Sequence, residues 1–435
     1  MRKPRISVIT LGCSKNTVDS EVLLGQLVAN RADVVDDVDR ADVAVINTCG
    51  FIESAKRESL DAILEAVERK SQGRLREVIV MGCLSERYKA DLEREIPEVD
   101  AYFGSHHLND VLARIGLTVR DELLGERLLT TPSHFAYLKI SEGCDRPCSF
   151  CAIPLMRGSH RSKPQGALVG EARSLAERGV KELILIAQDS TSYGLDLSGR
   201  RQLAQLLEAL ASIEPLAWIR LMYAYPSGFP REVLPVIRNS PSICRYIDMP
   251  LQHIADPVLA SMRRGTSARS TRELVDAIRA EVPGIALRTT MMVGYPTETD
   301  GAFKELYRFV EETKFHRLGV FQYSREEGTA AESLGDPIPA AVKEERANAL
   351  MELQKGISEA RNQELVGTIV RVLIDRVDHG LGVGRTEHDA PEIDQEVHVS
   401  SPDPLPVGNY FDVQIVDSTE YDLTGEVVER VPAKR

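Results

Sequence analysis

The sequence holds no uninterrupted apolar run near the roughly 20 residues that cross a bilayer, so no membrane-spanning helix is expected. Its opening, MRKPRISVITLGC, has a charged head, but the apolar stretch behind it is too short for a secretory signal. A cytoplasmic protein is the expectation. A cationic surplus is missing too: the formal net charge is −13, which argues against a general nucleic-acid binder with a basic face for phosphates. The seven cysteines are an odd number, which argues against a fully paired disulfide framework. Clustered thiols in a reducing compartment point instead to metal or redox chemistry. No Ser–His–Asp set stands out.

What is present is an organised chain of 435 residues, long enough for two to four domains. In the first hundred residues, the β-branched runs RISVITLG (5–12), DVAVINT (42–48) and EVIVMG (77–82) are each followed by a charged stretch with helical spacing. That alternation predicts an open parallel α/β sheet, Rossmann-like, with right-handed crossovers. A cysteine follows each run: Cys13, Cys49 and Cys83, spaced 36 and 34 residues apart, about one βα unit each. Ligands of such sheets bind at the carboxyl ends of the strands, so three thiols are delivered to one rim. Taken singly, each could equally be a buried core cysteine.

Residues 1–116 form this first expected domain, and 117–134 a linker. Six further strands separated by helical segments follow over 135–364: FAYLKIS, ELILIAQ, WIRLMYAY (218–225), RYIDMPLQ (245–252), ALRTTMMVG and RLGVFQY. They predict a partial (β/α)6 barrel with its chemistry at the carboxyl-end loops. From 365 to 435, short alternating strands broken by Gly, Pro and Asp predict a small antiparallel β-barrel. GLGVG (380–384) lacks the strand–turn–helix setting of a dinucleotide fingerprint and reads as a hairpin turn.

The segment SEGCDRPCSFCAIP (141–154) places Cys144, Cys148 and Cys151 in a CxxxCxxC spacing just after the first barrel strand. Three soft thiolates on one short loop suit an iron–sulfur cluster and leave one iron without a protein ligand. A zinc site is the plain alternative, but zinc knuckles pair two CxxC units and no second unit is present. Cys244 has no partner in either set and reads as core.

These residues resemble the radical S-adenosylmethionine superfamily, including the aromatic Phe150 before the last cysteine. The upstream strand-end cysteines, the six-repeat barrel and the terminal β-domain (TRAM or OB-like) are similar to the methylthiotransferases across essentially the whole chain. The resemblance implies a 4Fe–4S cluster on Cys144, Cys148 and Cys151 that binds S-adenosylmethionine. It implies a second 4Fe–4S cluster on Cys13, Cys49 and Cys83, where a sulfide or polysulfide species is held and methylated. Gln188, with Asp189, ends the second barrel strand, where the superfamily binds the methionine amino group, and Gly294 could let the backbone approach the adenosine or simply make a tight turn. His253 and Arg264 are candidate rim contacts, the alternative being surface or structural polar residues. ETD (298–300) reads as a helix N-terminus.

Methylthiotransferases divide by target: an adenosine beside the tRNA anticodon, or an aspartate β-carbon of small-subunit ribosomal protein S12. Residues 365–435 hold fourteen Asp and Glu against six Lys and Arg, a surface that would repel phosphates and suit a basic protein. LGCSKNTVDSE and GRTEHDAPEID (384–394) are similar to signatures of the ribosomal-protein branch, the RimO family, with Ser14 standing where that branch usually has Pro. The implied reaction uses S-adenosylmethionine twice, as methyl donor and as radical source, with reducing equivalents from a donor such as flavodoxin or ferredoxin. No membrane partner is expected, and the charge argues against tRNA. A tRNA methylthiotransferase and a zinc-stabilised, non-catalytic binding protein are the rival readings.

Overall fold

The computed structural model describes residues 4–120, 127–214 and 216–428. The first hundred residues fold as a parallel sheet of β1 (Arg5–Thr10), β2 (Asp33–Val34), β3 (Val43–Thr48), β4 (Glu77–Gly82) and β5 (Ala101–Tyr102) in the order 2-1-3-4-5. The run VAVINT is buried along its whole length, as expected of a strand covered on both faces. Strand order reverses between β1 and β3, so this switch point is where a crevice opens at the carboxyl edge. Cys13 caps the helix Ser14–Ala29 behind β1, and Cys83 begins the helix Cys83–Glu95 behind β4. The short strands β2 and β5 were not anticipated from the sequence; two residues each are too few to show a period.

The second sheet is also wholly parallel and runs in sequential order. It comprises β6 (Phe135–Lys139), β9 (Glu182–Ile186), β10 (Trp218–Leu221), β11 (Ile243–Asp248), β12 (Ala286–Val293) and β13 (Arg317–Gln322). The intervening β7 (Ser141–Glu142) and β8 (Arg161–Ser162) pair antiparallel and bracket the CxxxCxxC loop. Alternation decides which residues face where. Ala136, Leu138, Leu183, Leu185, Ile219 and Leu221 pack outward under the helices, while Phe135, Tyr137, Ile184, Trp218, Cys244 and Tyr246 line the inner face. Cys244 is thus core, and burial lifts its thiol to about 12. Two strands are shorter than the sequence suggests. β10 stops before Tyr223, whose φ of +60° turns the chain out of the sheet, and β11 stops at Asp248, leaving Gln252 as an isolated bridge to Met291.

The last unit is a closed barrel of β14 (Ile369–Asp378), β15 (Leu381–Arg385), β16 (Val397–Ser400), β17 (Tyr410–Ser418) and β18 (Leu423–Val427). Four of its pairings are antiparallel, but β16 and β18 run parallel, so the closure is OB-like rather than purely antiparallel. The GLGVG segment makes the tight β14–β15 hairpin, with Asp378 opposite Leu381.

The segment 384–394 does not face solvent as a free recognition loop. It closes the inner face of the six-stranded sheet. Arg385 donates to Glu182 at 2.8 Å, Arg317 to Asp389 at 2.9 Å, and both Arg288 and the Tyr246 hydroxyl reach Asp394. Glu182 also takes a bond from Arg220 at 2.8 Å, and neither Glu182 nor Arg220 is exposed. Removing one partner of a buried charge set strands the others. Glu182→Gln should therefore destabilise the chain by about 3–5 kcal/mol, read as a lowered thermal midpoint. A midpoint equal to wild type would mean that the plug is not held by this charge.

Candidate functional site

The first three cysteines are brought to one rim by backbone constraints. Asn16 donates to the carbonyls of Leu11 (2.8 Å) and Thr48 (3.0 Å), tying together the ends of β1 and β3. Asn47 returns the clamp by donating to the Asn16 carbonyl and to Ser20 Oγ, both at 3.0 Å. A Cβ on Gly12, whose φ is +90°, would lie 2.6 Å from Cys49 Cβ, so the chain can pass this close only as glycine. Burial raises the Cys49 thiol, and burial lifts Cys83 to about 12; the nearby Cys13 adds to both. These thiols therefore sit within electrostatic reach of each other.

The second set is built on the loop between β7 and β8. The Cys144 amide donates to the Gly158 carbonyl, and Ser149 is anchored to Met262 and Ser261. Burial raises Cys144 to about 11 and Cys151 to about 12, with Cys148 adding to both. Cys148 Sγ takes a bond from Arg264 Nη1 at 3.3 Å and lies 3.4 Å from the Tyr225 hydroxyl. Tyr225 itself has the guanidiniums of Arg146 and Arg264 at 4.1 and 4.3 Å from its ring centre. All seven cysteines are free thiols. No three His, Cys, Asp or Glu side chains among the described residues converge closely enough, as they stand, to enclose a metal ion.

The two sets face each other. Cys83 packs with Ala152, Ile153 and Met156, the residues that directly follow Cys151. From the same short helix (Ile153–Arg157), Arg157 donates through Nε to Cys83 Sγ at 3.1 Å and through Nη1 to Asp19 at 2.6 Å and Glu142 at 3.3 Å. Its Nη2 bonds Asn16. Lys139 donates to Glu142 at 2.6 Å and also bonds Asp19. Arg157, Asp19, Lys139 and Glu142 were not singled out from the sequence. A signal existed in Arg157, which follows the last cysteine by six residues and precedes Gly158.

The remaining predicted residues divide. Gln188 donates to Glu142 at 2.6 Å and leaves its buried Oε1 without a partner among the described residues, at the end of β9 beside the cysteine loop. Asp189 is paired with Arg146 at 2.7 Å. Phe150 packs against Ala255, Met262, Tyr295 and Tyr323. Gly294 has φ +75°, and a Cβ there would lie 2.4 Å from the Lys343 stem. Arg264 reaches the second thiol set, as described. His253 is fully buried, lies 3.4 Å from Glu298, and accepts from the Ala255 amide through Nδ1, a structural arrangement. Thr299 caps the helix Asp300–Thr313, as ETD suggests, while Glu298 turns inward to Arg346.

Three thiols per set, an orphaned buried acceptor and cationic side chains at Cys83 and Cys148 fit iron–sulfur chemistry with a bound amino acid moiety. The model of the radical SAM superfamily matches residues 138–310, that of the TRAM domain 366–428, and that of the uncharacterized protein family UPF0004 residues 5–104. The fold is similar to that of the radical S-adenosylmethionine methyltransferase TsrM from Kitasatospora setae, with a TM-score of 0.57 at 14% identity over 76% of this chain and 77% of that one. The chain therefore carries the domain of the radical S-adenosylmethionine enzymes, a class whose cofactors are S-adenosylmethionine and a 4Fe–4S cluster.

Its relatives narrow the class. The chain is 56% identical to the ribosomal protein uS12 methylthiotransferase RimO of Flavobacterium johnsoniae, over 98% of both chains. It is 53% identical to that of Chloroherpeton thalassium, over 98% of this chain and 99% of the other. For that of Porphyromonas gingivalis the identity is 49%, over 99% of this chain and all of the other. The chain belongs to the RimO family of methylthiotransferases.

The network between the thiol sets carries a pH signature. Burial alone would raise the Glu142 carboxyl, but Lys139 and Arg157 overcome it and hold it down at about 2, from an ordinary 4.5. The stability this contributes, about 3 kcal/mol, is present above about pH 4.5 and is lost as the pH falls toward 2. Glu142→Gln should cost about that much at neutral pH, and its gap to wild type should narrow to roughly half near pH 3; urea midpoints at the two pH values check this. A gap independent of pH would show that the network is not held by charge.

Proposed function

We propose that this chain methylthiolates the β-carbon of an aspartate in the small-subunit ribosomal protein uS12, working in the cytoplasm. Cys144, Cys148 and Cys151 hold one 4Fe–4S cluster, and Cys13, Cys49 and Cys83 hold a second. When bound, the first would supply the electron for reductive cleavage of S-adenosylmethionine, and the second would supply a seat for a sulfide- or polysulfide-derived sulfur, with S-adenosylmethionine serving also as the methyl donor. The observation that carries the reading is the shared wall: Cys83 packs on the residues that follow Cys151, with Arg157 bonded to its sulfur.

The chain's own side chains have separable tasks. Gln188 Oε1 accepts from the methionine amino group, Phe150 and Gly294 shape the cofactor pocket, and Arg264 and Tyr225 orient Cys148. Electrons arrive from a small carrier such as flavodoxin or ferredoxin. The chain divides into residues 1–116, a linker at 117–134, the barrel at 135–364 and the terminal domain at 365–435.

The choice of uS12 over tRNA is supported by the names of the relatives and by charge. Several acids of the terminal domain are consumed internally, among them Asp375, Asp389 and Asp394. Asp403, Asp412, Asp417 and Glu426 remain exposed, and they complement a basic protein better than a phosphate backbone. The test offers the reconstituted enzyme uS12 and tRNA together, with reductant, sulfide and S-adenosylmethionine, and asks by mass spectrometry which gains a methylthio group. The expected outcome is uS12 alone, and modified tRNA with unmodified uS12 would overturn the reading.

A further inference from the structure

Lys15 is a buried cation with no counter-charge among the described residues. Lys15, in the first turn of the helix behind Cys13, is 7% exposed. Its ammonium sits 3.0 Å from the ring centre of Tyr223, two residues beyond the end of β10. Among the described residues it has neither a hydrogen bond nor an ion pair. The acid one turn along its own helix, Asp19, is already shared by Lys139 and Arg157, and Glu142 is taken by Lys139, Arg157 and Gln188. Those two cations match those two anions, so neither acid is left for Lys15. Buried charges are normally paired, and the helix N-terminus beneath adds to the positive potential.

The Tyr223 platform is itself fixed. Its amide donates to Asp248 at 3.1 Å and its carbonyl accepts from the Ser190 amide at 3.1 Å, holding the left-handed backbone in place. Val18 and Val22, from the same helix as Lys15, pack with Tyr223, Phe135 and Tyr137 on the inner face of the barrel. The ammonium therefore sits where the helix behind Cys13 meets the inner face of the barrel, on a tyrosine two residues before Tyr225, which touches the second thiol set.

We propose that Lys15 is a specificity-determining residue that binds the carboxylate of the target aspartate between the two thiol sets. This rests on the uS12 reading above. A neutral amide or nucleobase at the same place would leave the ammonium unpaired, so Lys15 selects an aspartate over an asparagine or a base. The methionine carboxylate of S-adenosylmethionine is the other source of the same chemistry, but it belongs with the amino group near Gln188, on the side of the second set.

The test uses full-length wild type, Lys15→Gln and Lys15→Arg, each reconstituted to the same iron content. Fluorescence anisotropy measures binding of a labelled uS12 peptide carrying the target aspartate and of its asparagine counterpart; equilibrium dialysis measures S-adenosylmethionine. Wild type should prefer the aspartyl peptide by about tenfold or more. Lys15→Gln should erase that preference by weakening the aspartyl peptide alone, and Lys15→Arg should restore part of it. An unchanged preference in Lys15→Gln, or a loss of S-adenosylmethionine affinity instead, overturns the assignment while leaving the uS12 reading intact. Wild type that binds neither peptide overturns both.

Discussion

Two parallel sheets can present cysteines to each other only if their carboxyl ends are held face to face, and here a buried charge network centred on Arg157 holds them. Its guanidinium contacts Cys83 of the first thiol set and Asn16, which ties β1 to β3. It also contacts Asp19 and Glu142, which it shares with Lys139 at the end of β6. Removing any one group from such a network leaves the others buried and uncompensated. A second clamp works at the far side of the mouth, where Glu326, past the end of β13, pairs with Lys56 at 2.7 Å and Arg87 at 2.9 Å. Both partners lie on helices that follow first-set cysteines. The spacing between the thiol sets is therefore fixed by charge on two sides and by the apolar contact of Cys83 with Met156 between them.

The terminal barrel has two electrostatic faces with different work. One, through Arg385, Asp389 and Asp394, plugs the inner face of the six-stranded sheet and is a matter of stability. The other keeps its acids in water. The segment GRTEHDAPEID belongs largely to the first: its Arg385, Asp389 and Asp394 are spent on seating the terminal domain against the sheet.

Much of this architecture was legible in the sequence because its signals are local and periodic. Strand-end cysteines one βα unit apart, a CxxxCxxC loop after a strand and alternating apolar residues each report structure within a few residues of themselves. The carriers of the interface between thiol sets were not legible. Arg157, Asp19, Lys139 and Glu142 lie 3 to 138 residues apart in their bonded pairs, and nothing in their local spacing announces that they meet. For His253 the sequence left a rim contact and a structural role open, because its place past a strand end does not tell which way the side chain turns; the chain folds it inward against Glu298. The parallel β16–β18 pair was equally hidden, since strand direction within a small barrel follows from closure and not from the pattern of any one strand.

What matters most for function is that the six cysteines form two separate three-thiol sites held against one another. Iron analysis of anaerobically reconstituted protein tests it most directly, using wild type, a Cys13/Cys49/Cys83→Ala variant and a Cys144/Cys148/Cys151→Ala variant. About eight irons per chain are expected in wild type and about four in each variant. Full iron retained by either variant, or bound zinc in place of iron in the wild type, would contradict it.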